Sequence, residues 1–371
     1  MHTPIRQQID IARYILGQRL RGNRRYPLVL MLEPLFRCNL ACAGCGKIDY
    51  PEPILNRRLS PEECWRAAEE CGAPVVAIPG GEPLIHREIG EIVAGLVARR
   101  KYVSLCTNAL LLEKKLHLFT PSRYLFFSVH LDGLRERHDE AVCQQGVFDK
   151  AVRAIRAAQD AGFQVNVNAT IFEGHPAGEL VDFLDYATAL GVGISISPGF
   201  AYERAPDTEH FLNRRRTKEF FREVFRLGRA RGARWSLVHS PLYLDFIMGN
   251  REYRCTPWGM PTRNVFGWQR PCYLLNEGYA QSYRELMEDT DWDAYGTGAY
   301  EKCADCMAHC GYEPTAAAEA LAAPWKLIGV GMRGPRTEGP MAPEIELAAA
   351  RRSEDHHERI VEAALAQRRA V

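Results

Sequence analysis

The chain has almost no excess of charge: 47 Lys and Arg stand against 46 Asp and Glu, a formal net charge of +1 over 371 residues. That balance builds no long-range field to recruit a polyanion, so nucleic acid is not expected among the partners. No apolar run is long enough to span a bilayer. No segment has the zones of an export signal, so a cytoplasmic location is expected. The twelve cysteines are therefore expected as metal ligands and free thiols in a reducing compartment, not as a disulfide frame. With 46% hydrophobic and 25% charged residues, the composition is that of a globular protein, long enough for one large α/β domain and a smaller one.

What is present is an alternation of strand and helix patterns. Strands are expected over about 28–33, 75–78, 102–107, 124–130, 164–171 and 193–197, with helices between them. One helix opens at Ser60-Pro61-Glu62-Glu63, which supplies an N-cap, Pro at N1 and acid in the first turn. A further helix is expected over 217–232 and a strand over 234–238. Six such units predict a right-handed βαβ series around a parallel sheet. The expected organisation is an amphipathic, basic N-terminal helix (1–25), the α/β barrel (26–248), a cysteine-rich C-terminal module (249–335) and a polar tail (336–371), helical or disordered. The helix 1–25 either packs across one end of the barrel or rests on anionic lipid.

Three cysteines after the first strand, Cys38, Cys42 and Cys45, have the spacing C-x3-C-x2-C. Three thiolates can hold three irons of a [4Fe–4S] cube and leave the fourth open to a chelating molecule; a structural zinc site normally takes four protein ligands. After the second strand comes Gly80-Gly81-Glu82-Pro83. The two glycines allow close backbone approach to a ligand, and Glu82 can accept a charge-assisted hydrogen bond. Together these motifs resemble the radical S-adenosylmethionine (SAM) enzymes. The resemblance implies a partial (β/α)6 TIM-like barrel with a small C-terminal extension. It also implies a [4Fe–4S] cluster on Cys38, Cys42 and Cys45, SAM as co-substrate held in part by the GGEP turn, and a low-potential electron donor of flavodoxin or ferredoxin type.

Strand ends should aim Cys106, Asn108, His130, Asn166, Asn168, Ser195 and Ser197 at one cavity. Period two puts Asn166 and Asn168 on one face, where buried amides need a partner or a ligand. His130-Leu131-Asp132-Gly133 is similar to the superfamily's strand-four motif, with His130 where Ser is common. Thr107-Asn108-Ala109 has Ala where that strand end usually carries Gly. A lone Cys106 is either a small hydrophobe or, in radical chemistry, a hydrogen-atom donor.

A second group, Cys255, Cys272, Cys303, Cys306 and Cys310, frames Gly267 and ends in C-x2-C-x3-C. It reads as an auxiliary iron–sulfur cluster, a zinc site or metal-free packing. Ser128 to Gly133, Ser197 to Pro206 and Cys306 to Thr315 resemble the hopanoid-biosynthesis radical SAM family, the adenosylhopane synthases, across about residues 1–335. That resemblance implies addition of the 5′-deoxyadenosyl radical to the alkene of a C30 hopene. Phe126, Phe200, Tyr202, Leu242, Tyr243 and Phe246 are candidates for an apolar cavity. It also implies peripheral contact with the inner face of the plasma membrane. The main alternative is a radical SAM enzyme that modifies a peptide, although no winged-helix-like segment precedes Cys38.

Overall fold

The computed structural model describes residues 5–201, 204–207, 209–346 and 356–366. Six strands, β1 (Val29–Leu32), β2 (Val75–Ile78), β3 (Tyr102–Thr107), β4 (Leu125–His130), β5 (Gln164–Ile171) and β6 (Gly193–Pro198), follow in chain order. Each pairs in parallel with the next, which is what consecutive right-handed βα units produce. Helix α1 (Ile5–Leu20) precedes the sheet; α2 (Pro61–Cys71), α3 (Ile89–Ala98), α4 (Val147–Asp160), α5 (Ala177–Ala189) and α6 (Arg214–Ala230) cover it. After β3 there are only two short turns, the helical Leu112–Lys115 and the 3-10 Leu116–Leu118.

Local chemistry sets these elements. Helix α2 starts in a capping box: the Glu63 amide donates to Ser60 Oγ (3.2 Å) and the Ser60 amide to Glu63 Oε2 (2.7 Å), satisfying two orphan donors reciprocally. It ends at Gly72, whose φ of 70° is left-handed. On β4, Leu125, Phe127 and Val129 are buried while Phe126, Ser128 and His130 are half-buried. The first set packs under the helices. Phe127 lies 5.5 Å from Phe119 and 5.1 Å from Phe163, ring to ring, and truncating such a residue costs about 3–5 kcal/mol. The second set lines the barrel interior.

The sheet does not end at six strands. Strand β7 (Thr262–Asn264) pairs in parallel with β1, and β8 (Gly267–Gln269) and β9 (Tyr279–Ala280) extend it antiparallel, giving nine strands in the order β6-β5-β4-β3-β2-β1-β7-β8-β9. The change in composition near 248 is thus not a sheet boundary. The strand expected over 234–238 reduces to one parallel bridge, Leu237 to Ile194. Beyond β9 come α7 (His309–Ala322), α8 (Pro324–Arg333) and α9 (His357–Ala366). Ala364 is buried with Phe36 and Ile54, so the described end of the tail docks on the barrel instead of standing free in solvent. Among the described residues, no helix is long and apolar enough to cross a membrane.

Candidate active site

Cys38, Cys42 and Cys45 lie on the loop after β1, and all three are half-buried. Burial pushes the Cys38 thiol up to about 11 and raises Cys42 and Cys45 as well. Ligation would therefore release protons. The loop is tied at both ends. The Leu40 amide donates to Cys38 Sγ at 3.4 Å. Lys47 Nζ lies 3.2 Å from the buried Glu33 carboxylate at the end of β1 and 4.4 Å from the Tyr273 ring centroid. Among the described residues, only His130, Asp132 and His138 form a three-donor group with all atoms within 4.8 Å. Three thiolates are one short of the four protein ligands a structural zinc site normally takes and match three corners of a cube whose fourth iron is open.

The GGEP turn grips this loop. The Gly81 amide donates to Leu35 O (3.1 Å) and the Glu82 amide to Arg37 O (2.9 Å). A Cβ on Gly81 would fall 2.2 Å from the carbonyl oxygens of Phe36 and Arg37. The glycines are needed first for this close approach of two backbones. Glu82 is fully buried, and its carboxylate accepts from Leu84 N (3.0 Å), Thr107 Oγ1 (2.9 Å) and Asn108 N (2.8 Å). Burial raises its pKa to about 7. Three of about four acceptor positions are filled, all by groups of the chain itself. Pro83 opens a short 3-10 turn.

Asn108 extends the grip: Nδ2 donates to Asn39 Oδ1 at 2.8 Å and lies 3.8 Å from Cys38 Sγ. Ala109 is buried with φ 65°, so the Ala that replaces Gly here holds a left-handed conformation.

The interior face of the barrel assembles the other expected residues by register. Cys106 pairs with Ser128, Ser128 with Asn166, His130 with Asn168, and Asn168 with Ser195. Cys106 is half-buried, and burial pushes its thiol up to about 11. Asn166 and Asn168 face the same interior, half-buried. Ser197 is buried, its hydroxyl 3.3 Å from Pro198 O. His130 Nε2 lies 2.6 Å from Asp132 Oδ2. Burial opposes charge on His130, but Asp132 outweighs it and holds the imidazole above its ordinary value.

The sequence did not single out His138, His239 or Glu313. Asp132 N donates to His138 Nδ1 (3.2 Å), and Thr170 N donates to Asp132 Oδ1 (2.7 Å). Ser195 Oγ is 3.2 Å from His239 Nε2, which also accepts from Ile196 N (2.9 Å); Glu313 takes the other ring nitrogen. Isolated His and Glu with partners 44 and 74 residues away carry no local signal.

Cys255, Cys272, Cys303, Cys306 and Cys310 all line one cavity of about 30 Å³. Burial raises the pKa of every thiol, and for Cys255 the neighbouring Cys306, Cys272, Cys303 and Cys310 add to it. Thiols are the donors that zinc and iron–sulfur groups take. A cavity of about 430 Å³ adjoins it, bounded by Gly46 and Lys47, by Gly199, Phe200, Ala201 and Arg204, and by Tyr273 and Cys306. Of the residues expected to line an apolar cavity, Phe200 does so. Leu242, Tyr243 and Phe246 are instead fully buried core, because they sit on the short helix Pro241–Ile247 packed under α7 and α8. Phe126 faces the barrel interior, and Tyr202 lies outside the described residues.

The pattern of the radical SAM superfamily matches residues 32–187, and that of a domain of unknown function (DUF3463) matches residues 194–330. The GTP 3′,8-cyclase of Clostridium perfringens is 27% identical over 157 residues, 41% of this chain and 49% of the cyclase; the chain spans about half the length of that relative. The structure of Streptococcus suis SuiB bound to its precursor peptide SuiA superposes with a TM-score of 0.59 at 15% identity, over 80% of this chain and 73% of that one. That of anSMEcpe with bound AdoMet and a peptide gives 0.55 at 18% identity, over 83% and 99%. At these identities the structures share the fold.

Proposed function

Residues 32–187 belong to the radical SAM superfamily, whose cofactors are a [4Fe–4S] cluster and SAM, and from that premise we propose that this enzyme joins the 5′-deoxyadenosyl group of SAM to the alkene of an apolar C30 hopene. The observation that carries the reading is the position of one stretch on the wall of the larger cavity, whose lining also includes Asn213, Gln269, Asn276 and Lys302. The stretch Ser197 to Pro206, one of the strings that resemble the adenosylhopane synthases, forms its wall through Gly199, Phe200, Ala201 and Arg204, opposite Gly46 and Lys47 beside the cysteine triplet. The cavity volume, about 430 Å³, is in the range of drug-sized ligand sites.

Cys38, Cys42 and Cys45 would hold the [4Fe–4S] cluster, which when bound and reduced would supply one electron for cleavage of SAM at S–C5′, with methionine released. The residues of the chain do the rest by position. Asn108 and the GGEP turn hold the cysteine loop. Asn166, Asn168, His130 and Ser197 offer polar contacts to the carboxylate and ribose of SAM. Addition of the 5′-carbon to the terminal =CH2 leaves a tertiary carbon radical on the substrate. Cys106 gives its S–H hydrogen atom to that carbon, and the resulting thiyl takes one electron and one proton from the donor and solvent. A thiol whose pKa is about 11 keeps its hydrogen at neutral pH, as this role requires. The five C-terminal thiols hold an auxiliary iron–sulfur cluster in this reading. A hopene partitions into lipid, so the reading entails a peripheral membrane contact.

A second reading, modification of a peptide, is favoured by the fold shared with SuiB and anSMEcpe, whose structures contain peptides, and by Lys47, Arg204, Glu301 and Asp305 around the same cavity. Anaerobic incubation with SAM, reductant and diploptene separates the two. A product mass equal to substrate plus adenosyl plus hydrogen, lost or stereochemically scrambled in Cys106→Ala, supports the first. Cleavage of SAM with diploptene unchanged contradicts it.

A further inference from the structure

We infer that the face formed by α1 and α8 is a docking surface for an anionic lipid bilayer. Among the described residues, eleven large hydrophobics are exposed, and eight of them lie on α1, the end of α7 and α8. Ile5, Leu16 and Leu20 are 76%, 56% and 80% exposed; Trp325, Ile328 and Met332 are 67%, 57% and 78% exposed. On each helix these positions fall on one stripe at 3.6-residue spacing. Helix α1 thus turns much of its apolar surface outward: of its apolar residues only Ile15 is buried, and α8 buries none. The two stripes share one neighbourhood. Arg19 Nη2 donates to Ala318 O at 2.8 Å, next to Leu16 and Leu20 on one side and one turn before Leu321 on the other.

Charge selects the partner. Residues 5–25 carry six arginines and one acid, Asp10, whose carboxylate accepts from Tyr102 Oη at 2.7 Å. Residues 324–336 carry Lys326, Arg333 and Arg336 and no acid. Lys326 pairs with Glu319 at 2.6 Å and Arg25 with Asp293 at 3.3 Å; the remaining arginines still leave a local basic excess in a chain of net charge +1. Two copies would repel across it, whereas apolar stripes with Trp and flanking Arg match the headgroup boundary of an anionic membrane. Tyr102 begins β3, so α1 sits at the N-terminal end of the strands, opposite the cysteine loop. Docking there leaves that loop open to a soluble electron donor. The inference rests on the membrane contact that the proposed function entails, and its test is separate from that of the substrate because bilayer binding is measured without turnover.

The test is co-sedimentation of the full chain with vesicles of phosphatidylcholine alone, or with one-third phosphatidylglycerol. Binding is expected only to the second, weakened about fivefold at low salt by each of Arg6→Gln, Arg13→Gln and Arg24→Gln, and lost in Leu16→Glu with Trp325→Glu. Circular dichroism and iron content report whether these surface variants keep the fold. Absence of binding to anionic vesicles overturns the inference. So does undiminished binding of the doubly charged variant, or a concentration-dependent dimer that Leu16→Glu dissolves while vesicles go unbound.

Discussion

The side-chain amide of Asn108 donates to Asn39 Oδ1 at 2.8 Å and reaches to 3.8 Å from Cys38 Sγ, so the end of β3 latches the loop that carries the cysteine triplet. Asn108→Ala removes the latch, its contact with Cys38 Sγ included, and leaves all three thiols in the chain. One such bond is worth about 1 kcal/mol. Global stability should fall by that order, and iron retained after anaerobic gel filtration should fall more clearly, because the loop loses its fixed spacing. Unchanged iron retention would mean that the loop is held by other contacts.

Ala109 holds φ 65° in a buried position. A Cβ in the left-handed region costs roughly 1–2 kcal/mol, offset in part by the freer unfolded chain of glycine. Ala109→Gly should therefore raise stability by about 0.5–1 kcal/mol in urea unfolding, with SAM cleavage unaltered. A destabilised variant would show that the Cβ packs favourably enough to outweigh the strain.

His138 is buried and its pKa is pushed down to about 4, first by burial and then by the neighbouring His130. A base with a depressed folded pKa stays neutral in the fold while the unfolded chain takes up a proton below about 6.5. Stability should thus decline as pH falls from about 6.5 to 4, by on the order of 3 kcal/mol from this group. His130 acts with the opposite sign: its raised pKa makes its contribution complete below about 6.5 and loses it as pH rises through the folded value. Urea midpoints against pH for the parent and His138→Asn would check this, the variant showing the flatter acid limb.

The five thiols around the smaller cavity carry a separate expectation. A chain with two cubes should hold about eight irons, and Cys303→Ser with Cys306→Ser about four, with reductive SAM cleavage retained. Metal and sulfide analysis decides it. Four irons and one zinc in the parent would assign zinc to this site, and four irons alone would assign no metal.

Much of this arrangement was legible in the sequence because it is local. The strand bounds of β2, β3 and β5, the Ser60 cap and both glycine-rich and cysteine motifs sit in contiguous residues with period-two or capping signals. What escaped was non-local or too short. Strands β7 to β9 span two or three residues each, below the length at which alternation shows. His239 and Glu313 meet Ser195 only through the fold. The first role of Gly80 and Gly81, against the carbonyls of residues 35–37, is a contact between two loops that neither motif announces. The outward turn of the α1 stripe depends on which face its neighbours leave uncovered.

The most direct measurement is the fate of SAM itself. Anaerobically reconstituted chain, reduced with dithionite, should convert SAM to 5′-deoxyadenosine and methionine, and replacing any one of Cys38, Cys42 or Cys45 by Ala should abolish it. SAM that stays intact on a fully loaded, reduced protein, or cleavage that survives loss of one of these three cysteines, would contradict the account.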